Sequence, residues 1–182
     1  MFIVYAVVAG LVLGRLSGGR LERLATMRFR WAGAAIAGLA IQLVLFSGPV
    51  ADALDTAPTL GLIAYVGSTA LVLAAVLRNL HLGGLPLVAA GAVLNAGAIV
   101  ANGGIMPTTL GALAAAGSEP AAGFSNSAVL ADPALPWLVD RFALPSWLPL
   151  ANVFSAGDVL IAVGIGATIA IGMRVADSDQ TD

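Results

Sequence analysis

Apolar residues run through this chain in long blocks, without the two-residue or 3.6-residue alternation of half-buried strands or surface helices. Five blocks stand out: Phe2–Leu16, Trp31–Ser47, Thr59–Leu77, Gly83–Ala101 and Asn152–Met173. A membrane-spanning helix needs roughly 20 mostly apolar residues, so each block predicts one span. The first is short, and Arg15 at its end would have to snorkel to the interface. It is also the segment most easily mistaken for a signal peptide. No basic stretch precedes it and no small-residue cleavage site follows it, so it is expected to stay as a mature helix.

The polar breaks between blocks set the orientation. The first break carries Arg15, Arg20, Arg23, Arg28 and Arg30, which makes it cytoplasmic by the excess of basic residues on that side of membranes. Threading outward from it puts Asp52 and Asp55 outside, Arg78 and His81 inside, residues 103–150 outside and Arg174 inside. Seven of the eight arginines then fall in the cytoplasm, and Arg141 does not. The expected fold is an all-α integral membrane protein. It is a five-transmembrane-helix bundle in the plasma or inner membrane of a bacterium, with its N-terminus outside and its C-terminus inside. Residues 1–175 would form one transmembrane domain and 176–182 a disordered acidic tail in the cytoplasm. The stretch 103–150 is too long for a simple turn. Its prolines and its Trp137, Phe142 and Trp147 suit a re-entrant or interfacial segment folded over the outer mouth. Thr109 is placed to cap a short helix there, through Ala115.

Composition agrees with that reading. The 182 residues are 59% hydrophobic and 10% charged, against about 25% charged in soluble domains. With no cysteine and one histidine, disulfides, thiolate chemistry and a multi-histidine metal or haem centre are excluded within one chain. No metal and no cofactor is therefore expected. The arginine-rich break sits where topology requires it, so anionic headgroups are its expected partners and nucleic acid is not. The partners expected are membrane lipids, another membrane protein or a second copy of the chain.

Candidate chemistry lies in the few polar residues of the blocks. Asn95 and Asn102 are seven apart and share one helix face. Either could bind a ligand, or join helices as an interhelical amide; for Asn95 the joining role is favoured. Asn102 opens the run NGGIMP, where Gly103 and Gly104 allow positive φ and Pro107 ends any helix. Gly10, Gly14 and Gly18 form a small-residue ladder of the kind that packs helices closely. Ser68 and Thr69 are expected to bond back to their own helix. Asp158 has two readings of equal standing. Ser155 and Asp158 have capping-box spacing at the mouth of the last block, and an ionisable residue at a membrane boundary is a candidate site. Arg141, the basic residue on that side, is its expected counter-ion, with Asp140 beside it.

Three stretches together carry a resemblance. NGGIMP, LPWLVDRFALP and NVFSAGDVLIAVG, with GRLERLATMRFRW near the start, resemble a bacterial family of small membrane proteins known only as a domain of unknown function. That resemblance implies a fold and no activity. A partial likeness concerns the last two helices of lipoprotein signal peptidases, where G-N-x-x-D precedes F-N-x-A-D. Phe154 and Asp158 match the second motif, with Ser155 and Gly157 in place of its Asn and Ala. Asn95 matches the Asn of the first, but Ala98 stands where its catalytic Asp should be. The paired carboxylates of an aspartyl peptidase would then need Asp140 as the second member.

The reading these residues favour is a non-catalytic membrane protein with an outward-facing polar pocket between the fourth and fifth spans. Asn95, Asn102, Gly103, Gly104, Asp140, Arg141, Ser155 and Asp158 would line it, with Asn102 and Asp158 within one side chain's reach. Its ligand would be a lipid, a small solute or a partner helix. The alternatives are a membrane-embedded hydrolase using Asp158 with Asp140, an accessory subunit of a larger complex, or an oligomeric transporter.

Overall fold

The computed structural model describes residues 2–120 and 124–174; the expected acidic tail, 176–182, lies outside them. Among these residues are helices α1 (Phe2–Leu16), α2 (Glu22–Thr26), α3 (Ala32–Leu45), α4 (Gly48–Leu54), α5 (Pro58–Leu77), α6 (Leu85–Ala101), α7 (Leu110–Ala116) and α8 (Ala156–Gly172). Four two-residue strands accompany them: β1 (Met106–Pro107), β2 (Ser127–Ala128), β3 (Phe142–Ala143) and β4 (Val153–Phe154). The chain is mostly helical.

Proline marks three of the helix starts. It falls in the first turn of α4, α5 and α6, where its missing N–H removes no helical bond. Two expected boundaries move. The acidic loop after the second block is helical, because α4 continues from α3 across a break near Ser47 at 74°. The last helix begins at Ala156, since Val153 and Phe154 are extended as β4. By length and apolar character, α5 alone among the helices of the described residues is long enough to cross a membrane. The bent pair α3 and α4 passes only if taken together, and α1, α6 and α8 are shorter apolar helices.

Glycine decides which helices touch. α8 lies between α1 and α6, parallel to the first and antiparallel to the second, and α3 runs antiparallel to α5. A Cβ at Gly10 would come 2.6 Å from the Gly166 carbonyl oxygen, and one at Gly164 2.7 Å from that of Gly84. Backbones this close leave room only for hydrogen. Gly14 meets Ala170 on α8 and Met173 just after it, whereas Gly18 has φ 78° and no neighbour, so it stands outside the expected ladder.

Two asparagines pin loops to helix ends with one device. Asn79, fully buried after α5, donates to the Ala75 carbonyl and pairs with the Arg30 backbone through both its amide groups at 2.7 Å. Asn102, after α6, donates to Ala98 and pairs likewise with the Ala134 backbone at 2.8 and 2.9 Å. Each side chain behaves as a piece of β-ladder in a place where the chain supplies no strand.

The arginine-rich end is closed by Arg20 N–H on the Met173 carbonyl and the Arg23 guanidinium on that of Arg174. At the other end, the described residues 103–120 and 124–150 fold back over the helices. β1 pairs in parallel with β2, Thr108 bridges Asp140, and β3 pairs antiparallel with β4. Phe154 stacks on Phe2 and Phe142, and the Tyr5 hydroxyl donates to the Pro149 carbonyl. Thr109 caps α7 by accepting from Ala112 N–H.

Candidate functional site

The start of α8 is a complete capping box. Ser155 Oγ accepts from the Asp158 N–H at 3.0 Å, and the Ser155 N–H donates to Asp158 Oδ2 at 2.9 Å. Both satisfy N–H groups that a helix start leaves open, and the carboxylate faces the positive end of the helix dipole.

Asn95 turns the cap into a junction between helices. Its Nδ2 donates to Asp158 Oδ1 at 2.8 Å, and its Oδ1 lies 2.8 Å from Ser155 Oγ. Ser155 Oγ is also 3.0 Å from Asp158 Oδ2. Its single hydrogen must serve one of these acceptors at a time or be shared between them. Ser155 is fully buried, so no solvent competes for it.

Gly157 makes this geometry possible. A Cβ there would run into the Asn95 side chain, and the reciprocal Cβ at Gly91 would meet the Gly157 carbonyl. The F-S-A-G-D stretch thus reads as a cap plus a contact glycine. Sequence reasoning missed Gly91 and Gly157 as parts of the site. The available signal was that both fall within a turn of Asn95 and Asp158.

Asp140 approaches from the folded-back segment. Its N–H donates to the Pro107 carbonyl and its own carbonyl accepts from Thr109 N–H, at 2.9 and 3.0 Å. It lies close enough to Asp158, at the mouth of α8, to feel its charge. Its Oδ1 is buried and has no hydrogen-bond partner among the described residues. Burial first, and the Asp158 charge second, push its carboxyl up to about 7. Asn152 Oδ1 is likewise buried without a partner.

Three expected relations differ. Asp158 has no ion pair with Arg141; the pair found among the described residues is Arg20 with Glu22. Neighbours on an extended chain point to opposite faces, so with Asp140 turned inward, Arg141 is exposed over the Trp137 ring at 5.8 Å. Asn102 does not meet Asp158 either: its amide groups are spent on Ala98 and Ala134, and Asn95, two turns earlier, is the residue across from Asp158. Gly103 and Gly104 have φ of 71° and 94° and turn the chain toward α5, where they line a separate cavity. Of the other mid-block residues, Ser68 bonds back to the Tyr65 carbonyl, but Thr69 takes Gln42 from α3.

Residues 26–170 match a family of unknown function, DUF5317. The chain belongs to that family. The DUF5317 match contains Asn95, Asn102, Asp140, Ser155 and Asp158, whereas α1 with Gly10 and Gly14 precedes it. No curated protein and no solved structure matches the chain. The partial likeness to lipoprotein signal peptidases therefore rests on the local residues alone.

Proposed function

We propose that this DUF5317 protein is a multi-pass plasma-membrane protein, N-terminus out, whose outer face binds a hydrogen-bond-donating headgroup at Asp140. α1, α3, α5, α6 and α8 are its five spans. The membrane reading is supported by side chains that point away from the bundle. Ile36, Leu43 and Val100 are 67%, 76% and 78% exposed, while glycines occupy the helix contacts. Water penalises that arrangement and lipid does not. Helices of 15 to 17 residues reach only about 22–26 Å, so local thinning of the bilayer would accompany them. The orientation is supported by the arginine-rich end, where Arg20 bonds the Met173 carbonyl and Arg23 that of Arg174, while Arg30 is held by Asn79.

The observation that carries the binding role is the buried, unpartnered Oδ1 of Asp140. An orphaned acceptor is unfavourable by about 1–3 kcal/mol, and a donor from outside would relieve it. An ammonium headgroup offers such donors and would also offset the neighbouring Asp158 charge. In native mass spectra, phosphatidylethanolamine should stay bound longer than phosphatidylglycerol, and Asp140→Asn should remove the preference. Equal retention of both lipids would overturn the assignment. Thiol labelling of single cysteines at residues 20 and 132 in intact cells tests the orientation, with only the second expected to react.

A second reading, a membrane-embedded hydrolase, is favoured by the carboxylate pair. Asp158 is fixed by donors, and burial raises the Asp140 carboxyl to about 7, so that it titrates near neutral pH. One protonated and one ionised carboxyl can activate a water and protonate a leaving group. Cleavage of membrane-anchored peptides lost in both Asp140→Asn and Asp158→Asn would favour it over simple binding.

A further inference from the structure

We infer a second ligand site on the other side of the molecule, a cavity between α5 and the Gly103–Gly104 turn that takes an uncharged amphiphile bearing a carbonyl oxygen. The cavity has a volume of about 350 Å³, within the ordinary range for small-molecule sites. Its wall is an aromatic cluster in which Phe46 packs edge-on to Tyr65 and stacks with Phe124, at 5.5 and 5.8 Å between ring centres. Phe124 is held there from two directions. Its N–H donates to Asp55 Oδ1, and Gly61 on α5 leaves space for its ring.

One polar group in this wall is engaged, since Ser125 Oγ accepts from the Ser127 N–H at 3.1 Å. Tyr65, Thr59 and Asn126 also line the cavity, and among the described residues their side chains make no hydrogen bond. Among the described residues no acidic or basic side chain lines it, and the nearby Asp55 is engaged by the Phe124 N–H. An anionic or cationic group placed there would lose its hydration without a counter-charge. A neutral carbonyl oxygen would instead find hydroxyl and amide donors, with its apolar body against the rings. The ester end of a glycerolipid and the ring carbonyl of an isoprenoid quinone share this chemistry. The inference rests on the membrane reading above only for where the ligand comes from, since the cavity lies at the end of α5 assigned to the outer leaflet.

Binding is measured by calorimetry and thermal unfolding of the full chain in neutral detergent. The probes are dihexanoylglycerol, decylubiquinone and, as a charged control, decyl phosphate. One of the two neutral probes should bind saturably and raise Tm, which identifies the source, and decyl phosphate should not. Tyr65→Phe, which keeps the ring, should weaken binding about tenfold. Thr59→Trp, at an exposed position on the cavity wall, should abolish binding with the unliganded Tm held. Asp140→Asn should bind the neutral probe as the parent does, which separates this site from the headgroup site. The inference is overturned if neither neutral probe binds, if Thr59→Trp binds as tightly as the parent, or if decyl phosphate binds equally well. A chain recovered from the soluble fraction that still binds dihexanoylglycerol would sink the membrane reading and leave this site standing.

Discussion

The two sides of the bundle are built from similar apolar sequence and end in opposite states. On the α6–α8 side, glycine meets glycine, the backbones touch, and Asn95, Ser155 and Asp158 satisfy one another. On the α3–α5 side, aromatic rings fill the gap near the helix ends, and they leave a hollow lined by unbonded hydroxyl and amide groups. Small residues close a seam, because dispersion gains grow as backbones approach. α3 and α5 also close in at Gly38, where a Cβ would come 2.8 Å from the Ser68 carbonyl oxygen, so the large flat rings leave shaped space only near the helix ends. The closed side fixes a conformation, and the open side has capacity to take something in.

The largest effect should come from forcing the closed seam apart. Gly157→Ala places a methyl against both the Asn95 amide and the Gly91 carbonyl. Backbone cannot rotate away, so a loss of about 3 kcal/mol is expected, read as an earlier midpoint in detergent unfolding. Gly61→Ala is the matched change on the open side. Its methyl meets the Phe124 ring, which can swing toward the cavity, so the loss should be clearly smaller. Gly67→Ala, with nothing nearby, should be neutral or stabilising by up to about 1 kcal/mol. If Gly61→Ala proved as damaging as Gly157→Ala, the contrast between a rigid and a yielding side would not hold.

Next in size is the polar junction. Ser155→Ala removes the cap of α8 and a bond to Asn95 together, for an expected loss of about 2 kcal/mol. Asp158→Asn should keep the fold at a cost of about 1 kcal/mol, since an amide oxygen can still accept one of the bonds now made to the two carboxylate oxygens. Equal losses for the two changes would mean that the carboxylate charge, and not the serine, holds the junction.

The sequence made these two sides unequally legible. Ser155 and Asp158 are three apart, and a capping box is a local pattern with a local cause. Thr109 before α7 was readable for the same reason. The aromatic cavity joins Phe46, Tyr65 and Phe124 from three distant stretches, and no spacing along the chain announces it. Asn79 went unread because an asparagine at a helix end is an ordinary stop signal, and its grip on Arg30 exists only in three dimensions. The choice of Asn95 over Asn102 as the partner of Asp158 was also hidden. Asn95 lies on α6 and Asn102 just past its end, and only the close approach at Gly91 and Gly157 decides which of them reaches α8.

A smaller and more selective effect concerns Asp140. Its carboxyl is raised from 3.8 to about 7, so between those values the folded chain holds a proton that the unfolded chain has released. Stability should therefore fall as pH rises through that window and level off above it. Asp140→Asn, which cannot ionise, should flatten the profile, with most of its gain in Tm seen at about pH 8 and little at about pH 4. A variant whose profile still fell between those limits would place the titrating group elsewhere on the folded-back segment.

The smallest effect is expected at Arg141, where the expected ion pair and the observed geometry disagree most directly. An Arg141–Asp158 pair at a low-dielectric boundary would make Arg141→Gln damaging, because Asp158 would lose its compensating charge. In the structure Arg141 is exposed over Trp137, and an exposed contact of that kind contributes about 0.5–1 kcal/mol at most. Arg141→Gln should then shift the unfolding midpoint slightly, and Trp137→Leu should reproduce that shift. The double change should be no worse than either alone, because each removes the same contact. A large loss in Arg141→Gln that vanished in an Asp158→Asn background would instead reveal a pairing across the mouth of α8 in the membrane.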